Sequence, residues 1–146
     1  RFRDGVVRNV ASWHDEMNGR ERGPNSIFVV ESGGLRFVHL GDLGHELTPA
    51  QVKEIGPVDV LFVPVGGTFT LDERKARQVV RQLSPRRLVV PMHYATPTLK
   101  AKLPLAPLAG FLRGWRNPVR RVEGSTLTLE SKPSSKGMDV VVFAFP

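Results

Sequence analysis

Short β-type apolar runs that stop abruptly in turns, alternating with capped helical segments, constrain this chain more than any other feature. Val58–Val63 runs into Pro64-Val65-Gly66-Gly67, and Leu88-Val89-Val90 runs into Pro91-Met92-His93-Tyr94. Between them, Thr70-Leu71-Asp72-Glu73 has the form of a capping box. Ala76, Val79, Val80 and Leu83 follow at spacings of three and four, the mark of an amphipathic helix. Its solvent side would carry Arg74, Lys75, Arg77 and Arg81, and Ser84-Pro85 would end it. An earlier helix is expected after Thr48-Pro49-Ala50-Gln51, where Thr48 can cap and Pro49 suits the first helical position. Gly56-Pro57 stops that helix early.

The flanks extend the same grammar. Val6–Trp13 reads as a strand ending at His14-Asp15, followed by a polar loop from Glu16 to Asn25. Ile27–Val30 and Leu35–Leu40 surround Ser32-Gly33-Gly34 and read as a hairpin. Beyond a Pro-rich passage, Thr96 to Pro107, we expect a short helix over Gly110–Trp115. A second hairpin from Arg120–Val122 to Thr126–Leu129 and a last strand over Val140–Phe143 complete the pattern. The order predicts an α/β layered fold.

Composition narrows the classes. The 146 residues are 40% hydrophobic and 24% charged, which suits one soluble domain or part of a larger one. No apolar run approaches the ~20 residues of a membrane-spanning helix. The opening Arg1-Phe2-Arg3 has no initiator Met and no secretory signal, so we expect a fragment or a processed product. Without Cys, any metal must be held by His and carboxylates, and a reducing, cytoplasmic location is expected. Charge is uneven: residues 1–73 hold 7 Lys/Arg and 11 Asp/Glu, and residues 74–146 hold 14 and 3. The basic half would attract phosphates or nucleic acid, or simply be a solvated surface. Aromatic residues are not interleaved with it as in a stacking platform, so nucleic acid is not the favoured partner.

Three polar residues share one kind of position. His14 closes a strand, Asp42 follows one in Leu40-Gly41-Asp42, and His93 follows another. Strand-end loops are where α/β scaffolds hold sites, and two imidazoles with a carboxylate are competent metal ligands. Taken singly, each has a bland reading: a turn-forming Asp, or a hydrogen-bonded core His.

The stretch from Ser12 to Thr96 resembles the UlaG-like, lactonase-related branch of metallo-β-lactamase-fold hydrolases. The matching strings begin with Ser12-Trp13-His14-Asp15, Arg22–Glu31 and His39-Leu40-Gly41-Asp42-Leu43-Gly44-His45. Ile55–Leu61, Pro64-Val65-Gly66-Gly67-Thr68-Phe69-Thr70 and Pro91-Met92-His93-Tyr94 continue them in order. The resemblance implies the C-terminal half of an αββα sandwich, a mixed sheet with flanking helices. It places one metal on His14, a bridging and catalytic role on Asp42, and a second metal on His93. Zinc or manganese is the implied cofactor, two ions in a complete site. The implied reaction is attack of a metal-activated hydroxide on a small lactone, ester or phosphoester.

The sequence departs from that family in one respect. Its four His stand at 14, 39, 45 and 93, so the family's His-x-His-x-Asp-His motif is absent. Residues 1–146 are therefore expected to be a partial domain, lacking the half that carries this motif. The missing half, or a second copy of the chain, is the expected partner besides a small-molecule substrate. Alternatives are a non-catalytic remnant or interaction domain, and a phosphodiesterase- or nuclease-type relative. Second-rank candidates are His45, Tyr94, Asn25 and Arg22 for substrate contact, with Arg20 beside them in the polar loop. Asp15 is a candidate to hydrogen-bond a ligand His. Each has a structural alternative: a surface turn, packing, or loop formation. His39, alternating with Val38 and Leu40, reads as structural, and Gly66-Gly67 as a tight turn.

Overall fold

A computed structural model describes residues 5–97, 99, 102–129 and 137–144. Thr98, Lys100 and Ala101 of the Pro-rich passage lie outside them. Strands β1 (Gly5–Trp13), β2 (Pro24–Ser32) and β3 (Leu35–His39) form an antiparallel meander. Helix α1 (Pro49–Ile55), β4 (Val60–Pro64), α2 (Glu73–Leu83) and β5 (Leu88–Met92) follow. The chain continues through α3 (Leu108–Leu112), β6 (Val119–Val122) and β7 (Asp139–Phe143). Among the described residues, seven strands form one mixed sheet in the order β1-β2-β3-β4-β5-β7-β6. From β3 to β6 every pairing is parallel, with helices as crossovers from β3 to β4 and from β4 to β5. The expected α/β class and mixed sheet with flanking helices are what the chain forms.

Strand alternation sends neighbouring residues to opposite faces. One face carries Val10, Ile27, Val29, Val38, Leu61, Val63, Val89, Val140 and Val142. Ile55 of α1, the Ala76, Val79, Val80 and Leu83 stripe of α2, and Phe111 of α3 cover it. The other face carries Val60, Leu88, Val90 and Val141, with Phe37, Phe62, Val122 and Phe143 beside them. Leu127 and Leu129 pack over this second cluster near β5 and β7. Toward β1 and β2 the same face opens: Phe28 is 46% exposed and Val7 41%.

Four expectations need correction. Val58 and Asp59 precede β4, because Asp59 turns its carboxylate to the Arg36 N–H, 2.9 Å away. Thr70 does not cap α2. Asp72 does, accepting from the Lys75 N–H at 2.8 Å, so the helix starts two residues later than the capping-box spacing suggests. The third helix spans Leu108–Leu112 rather than Gly110–Trp115, since Pro107 starts it and Phe111 is its buried anchor. Residues 126–129 form no strand; β6 pairs in parallel with β7, which supplies a buried neighbour that a hairpin would not.

Candidate metal centre

Because β1 and β3 both run antiparallel to β2, the carboxyl ends of β1, β3, β4 and β5 lie along one edge of the sheet. His14, Asp42 and His93 hang from that edge. His14 Nε2 lies 3.9 Å from Asp42 Oδ2, and His93 Nε2 lies 4.0 Å from Asp42 Oδ1. Each imidazole thus addresses a different oxygen of one carboxylate. These gaps are too long for hydrogen bonds. They exceed by about 0.5 Å the ~3.4 Å between two ligands of a tetrahedral zinc. His14 Nε2 is buried with no hydrogen-bond partner, and so is His93 Nδ1. Burying such atoms unpaired is costly unless another group meets them. The orphaned His14 Nε2 beside the Asp42 carboxylate therefore suits a cation, whereas on His93 the nitrogen that faces Asp42 is Nε2 and the orphaned one is Nδ1. Among the described residues, no three His, Asp or Glu side chains gather into a group that could hold an ion alone. The Asp42 side chain is 53% exposed, which leaves it open to further ligands.

Each donor is seated by the backbone. The His14 N–H donates to the Gly23 carbonyl at 3.1 Å, and the Gly44 N–H donates to the Trp13 carbonyl at 3.0 Å. Gly44 lies directly on the His14 carbonyl, where a Cβ would collide. His93 has φ +52°, a left-handed conformation that costs a non-glycine residue of order 1–3 kcal/mol. Gly66 packs on its carbonyl oxygen, again with no room for a Cβ. Asp42 is held by Asn25, whose Oδ1 accepts the Asp42 N–H at 2.9 Å. The Asn25 Nδ2 donates to Ser12 Oγ at 2.7 Å and to the Leu40 carbonyl at 2.9 Å.

The second-rank residues separate. Asn25 spends its amide bracing three strand ends, so it positions Asp42 rather than lining a substrate pocket. His45 accepts the Trp13 N–H at Nε2 (3.2 Å), so its Nδ1 carries the proton and donates to the Glu46 carbonyl at 2.8 Å. Both ring nitrogens thus face backbone groups. Asp15 turns to backbone amides rather than to His14. Its buried carboxylate accepts the N–H groups of Met17 and Gly19 at Oδ1 and of Glu21 and Arg22 at Oδ2, at 2.7–3.1 Å. Burial alone would raise its pKa, but these four donors, led by Arg22, hold the carboxyl below its usual range. Asp15 therefore organises the polar loop. Arg22 lines a cavity of about 300 Å³ together with His14, Thr70 and Lys75, and its guanidinium stands 5.8 Å over the Phe69 ring. Tyr94 is 7% exposed and belongs to the main core, while also bordering a larger cavity beyond His93.

His39 is more closely tied to the site than its alternation suggested. Its Nδ1 accepts the Gly41 N–H at 3.1 Å, in the turn that carries Asp42. Burial lowers its pKa, while the Asp42 carboxylate acts to raise it. The His39-Leu40-Gly41-Asp42 string held that signal: a side chain at the end of a strand can reach back onto the turn that follows.

The sequence model of a family described as the beta-lactamase superfamily domain matches residues 1–93, ending on the third of these donors. The chain belongs to this superfamily. A UPF0173 metal-dependent hydrolase of Thermococcus onnurineus is 36% identical to this superfamily member over 96 residues, 64% of the chain. Another, from Thermococcus kodakarensis, is 38% identical over the same length. The chain spans only 42% of the length of each. Its fold is similar to a crystal structure from Thermotoga maritima, described as a candidate Zn-dependent hydrolase of the metallo-β-lactamase superfamily. That likeness has a TM-score of 0.78 and 39% identity, covering 96% of this chain and 66% of that one. A structure from Parabacteroides distasonis, described as a candidate metal-dependent hydrolase, shares the fold at 15% identity, with a TM-score of 0.58.

Proposed function

We propose that this superfamily member contributes His14, Asp42 and His93 to the metal site of a hydrolase in the UlaG-like branch. The observation that carries this reading is the pair of histidines, 3.9 and 4.0 Å from opposite oxygens of one carboxylate. Asp42 would bridge two divalent cations, zinc or manganese, with His14 on one and His93 on the other. The bridging charge offsets the repulsion between the ions. When bound, the metals would supply Lewis acidity and an acidified water. The chain's own part is to hold these donors at fixed spacing, through Gly44, Gly66 and Asn25, and to exclude water from one side of them. A small lactone, ester or phosphoester is the proposed substrate, and the cytoplasm the proposed compartment.

The remaining ligands would come from residues that this chain does not carry. The open sheet face around Phe28 and Val7 would receive the second sheet of the sandwich, from a longer chain, a partner, or a second copy. Relatives more than twice as long as the matched segment support that reading. Elemental analysis after zinc or manganese loading is the direct test. We expect this chain alone to retain at most one weakly held ion, and Asp42→Asn to retain none. Tight binding of two ions by the isolated chain would overturn the proposed division of ligands. Unchanged retention in Asp42→Asn would overturn the bridging role.

A further inference from the structure

A cavity of about 870 Å³ lies immediately beyond His93. Tyr94 and Ala95, Leu108, Ala109 and Leu112 of α3, and Val142 and Phe143 of β7 give it apolar walls. Arg113, Arg121 and Glu123 supply its charged groups, a net positive set. Among the described residues, neither arginine has an ion-pair partner. Tyr94 and Arg121 both line the cavity. The volume is typical of a pocket for a small organic molecule, and apolar walls with few polar groups are the usual lining.

The cavity is tied to the metal-site edge by backbone. The Ala95 N–H donates to the Ala106 carbonyl at 3.0 Å, and the Ala106 N–H donates to the Gly66 carbonyl at 2.7 Å. Gly66 is the residue on which the His93 carbonyl rests. The entry to α3 is thus fixed relative to His93 through a single short chain of contacts. Every lining residue also follows His93, where the match to the family ends. The shared segment carries the metal donors, and the segment after it carries the cavity.

We infer that this cavity binds the apolar tail of an amphiphilic anion, with Arg121 and Arg113 meeting its negative group. This deepens the proposed hydrolase reading and rests on it for the link to catalysis: the tail-binding cavity would select substrates by their apolar part. Binding itself needs no metal, so the two readings fail separately.

The test is a titration of the full chain with octanoate in the presence of EDTA, followed by calorimetry or by ligand NMR. Octylammonium and octyl phosphate serve as matched probes. We expect saturable binding of octanoate and octyl phosphate, and octylammonium at least ~10-fold weaker. Arg121→Gln should weaken octanoate binding by about 10-fold, the scale of one lost charge-assisted contact. Glu123→Gln should tighten it. Ala109→Trp, which fills the cavity from an exposed helix position, should abolish it while the circular dichroism stays that of the parent. Phe28→Ser, on the rival apolar surface, should leave it unchanged. Equal binding of octylammonium, loss of binding in Phe28→Ser, or no saturable binding by the folded chain would each overturn the inference. None of those outcomes bears on metal retention, which elemental analysis reads independently.

Discussion

Phe28 and Val29 are neighbours in β2 and meet opposite fates. Val29 is fully buried beneath the helices, whereas Phe28 is 46% exposed on the other face. The same contrast recurs across the meander: Val10 is 1% exposed and Val7 41%, in one strand. The covered face owes its burial to helices that follow their strands in sequence, α1 after β3 and α2 after β4. Among the described residues, the open face has only Leu127 and Leu129 over its far end. One face is therefore completed by local connections, and the other stays open among the described residues.

Substitutions can break this comparison, the most damaging first. Leu61 is fully buried on the helix-covered face, and Leu61→Ala should cost about 2–5 kcal/mol in chemical denaturation. Gly66→Ala has a smaller but still large expected cost, roughly 1–3 kcal/mol, because the added methyl must displace the His93 backbone. It should weaken metal retention as well, which elemental analysis would detect. Asp15→Asn comes next: an amide group would face some of the four N–H donors that the carboxylate now accepts, and thermal melts should show a lower Tm. The pH dependence has a definite sign. The folded Asp15 pKa is depressed, so its contribution is present above the unfolded value near ~3.9 and is lost as pH falls through the folded pKa. Asp15→Asn should flatten that acid limb. Phe28→Ser should change stability least, within about 0.5 kcal/mol, while reducing self-association in light scattering. A large stability loss in Phe28→Ser would mean that the open face is already covered within this chain.

The covered face was legible in the sequence because its information is local. The Ala76, Val79, Val80 and Leu83 stripe, the Gly33-Gly34 hairpin and the stop at Gly56-Pro57 each follow from neighbours a few residues apart. The candidate donors His14, Asp42 and His93 were legible by position, since each closes or follows a strand, though their convergence depended on strand order, which no local pattern specifies. The parallel pairing of β6 with β7 was hidden for the same reason: both partners of that ladder look alike in a hairpin. The backbone contacts of Asp15, Asn25 and His45 were not legible, because sequence shows a side chain's chemistry but not which backbone groups will surround it. Thr70 resembled a cap equally well, and only the placement of Asp72 two residues later decided which side chain took the role.

The donors at the carboxyl edge hang from strands whose interior positions include residues with no solvent exposure, such as Leu61 and Val89. Amides in such strands exchange with deuterium mainly when the whole domain opens. The spacing between His14, Asp42 and His93 should therefore be as long-lived as the fold itself. An incoming ion would meet donors already in place, and its affinity would not be reduced by the entropy of gathering them.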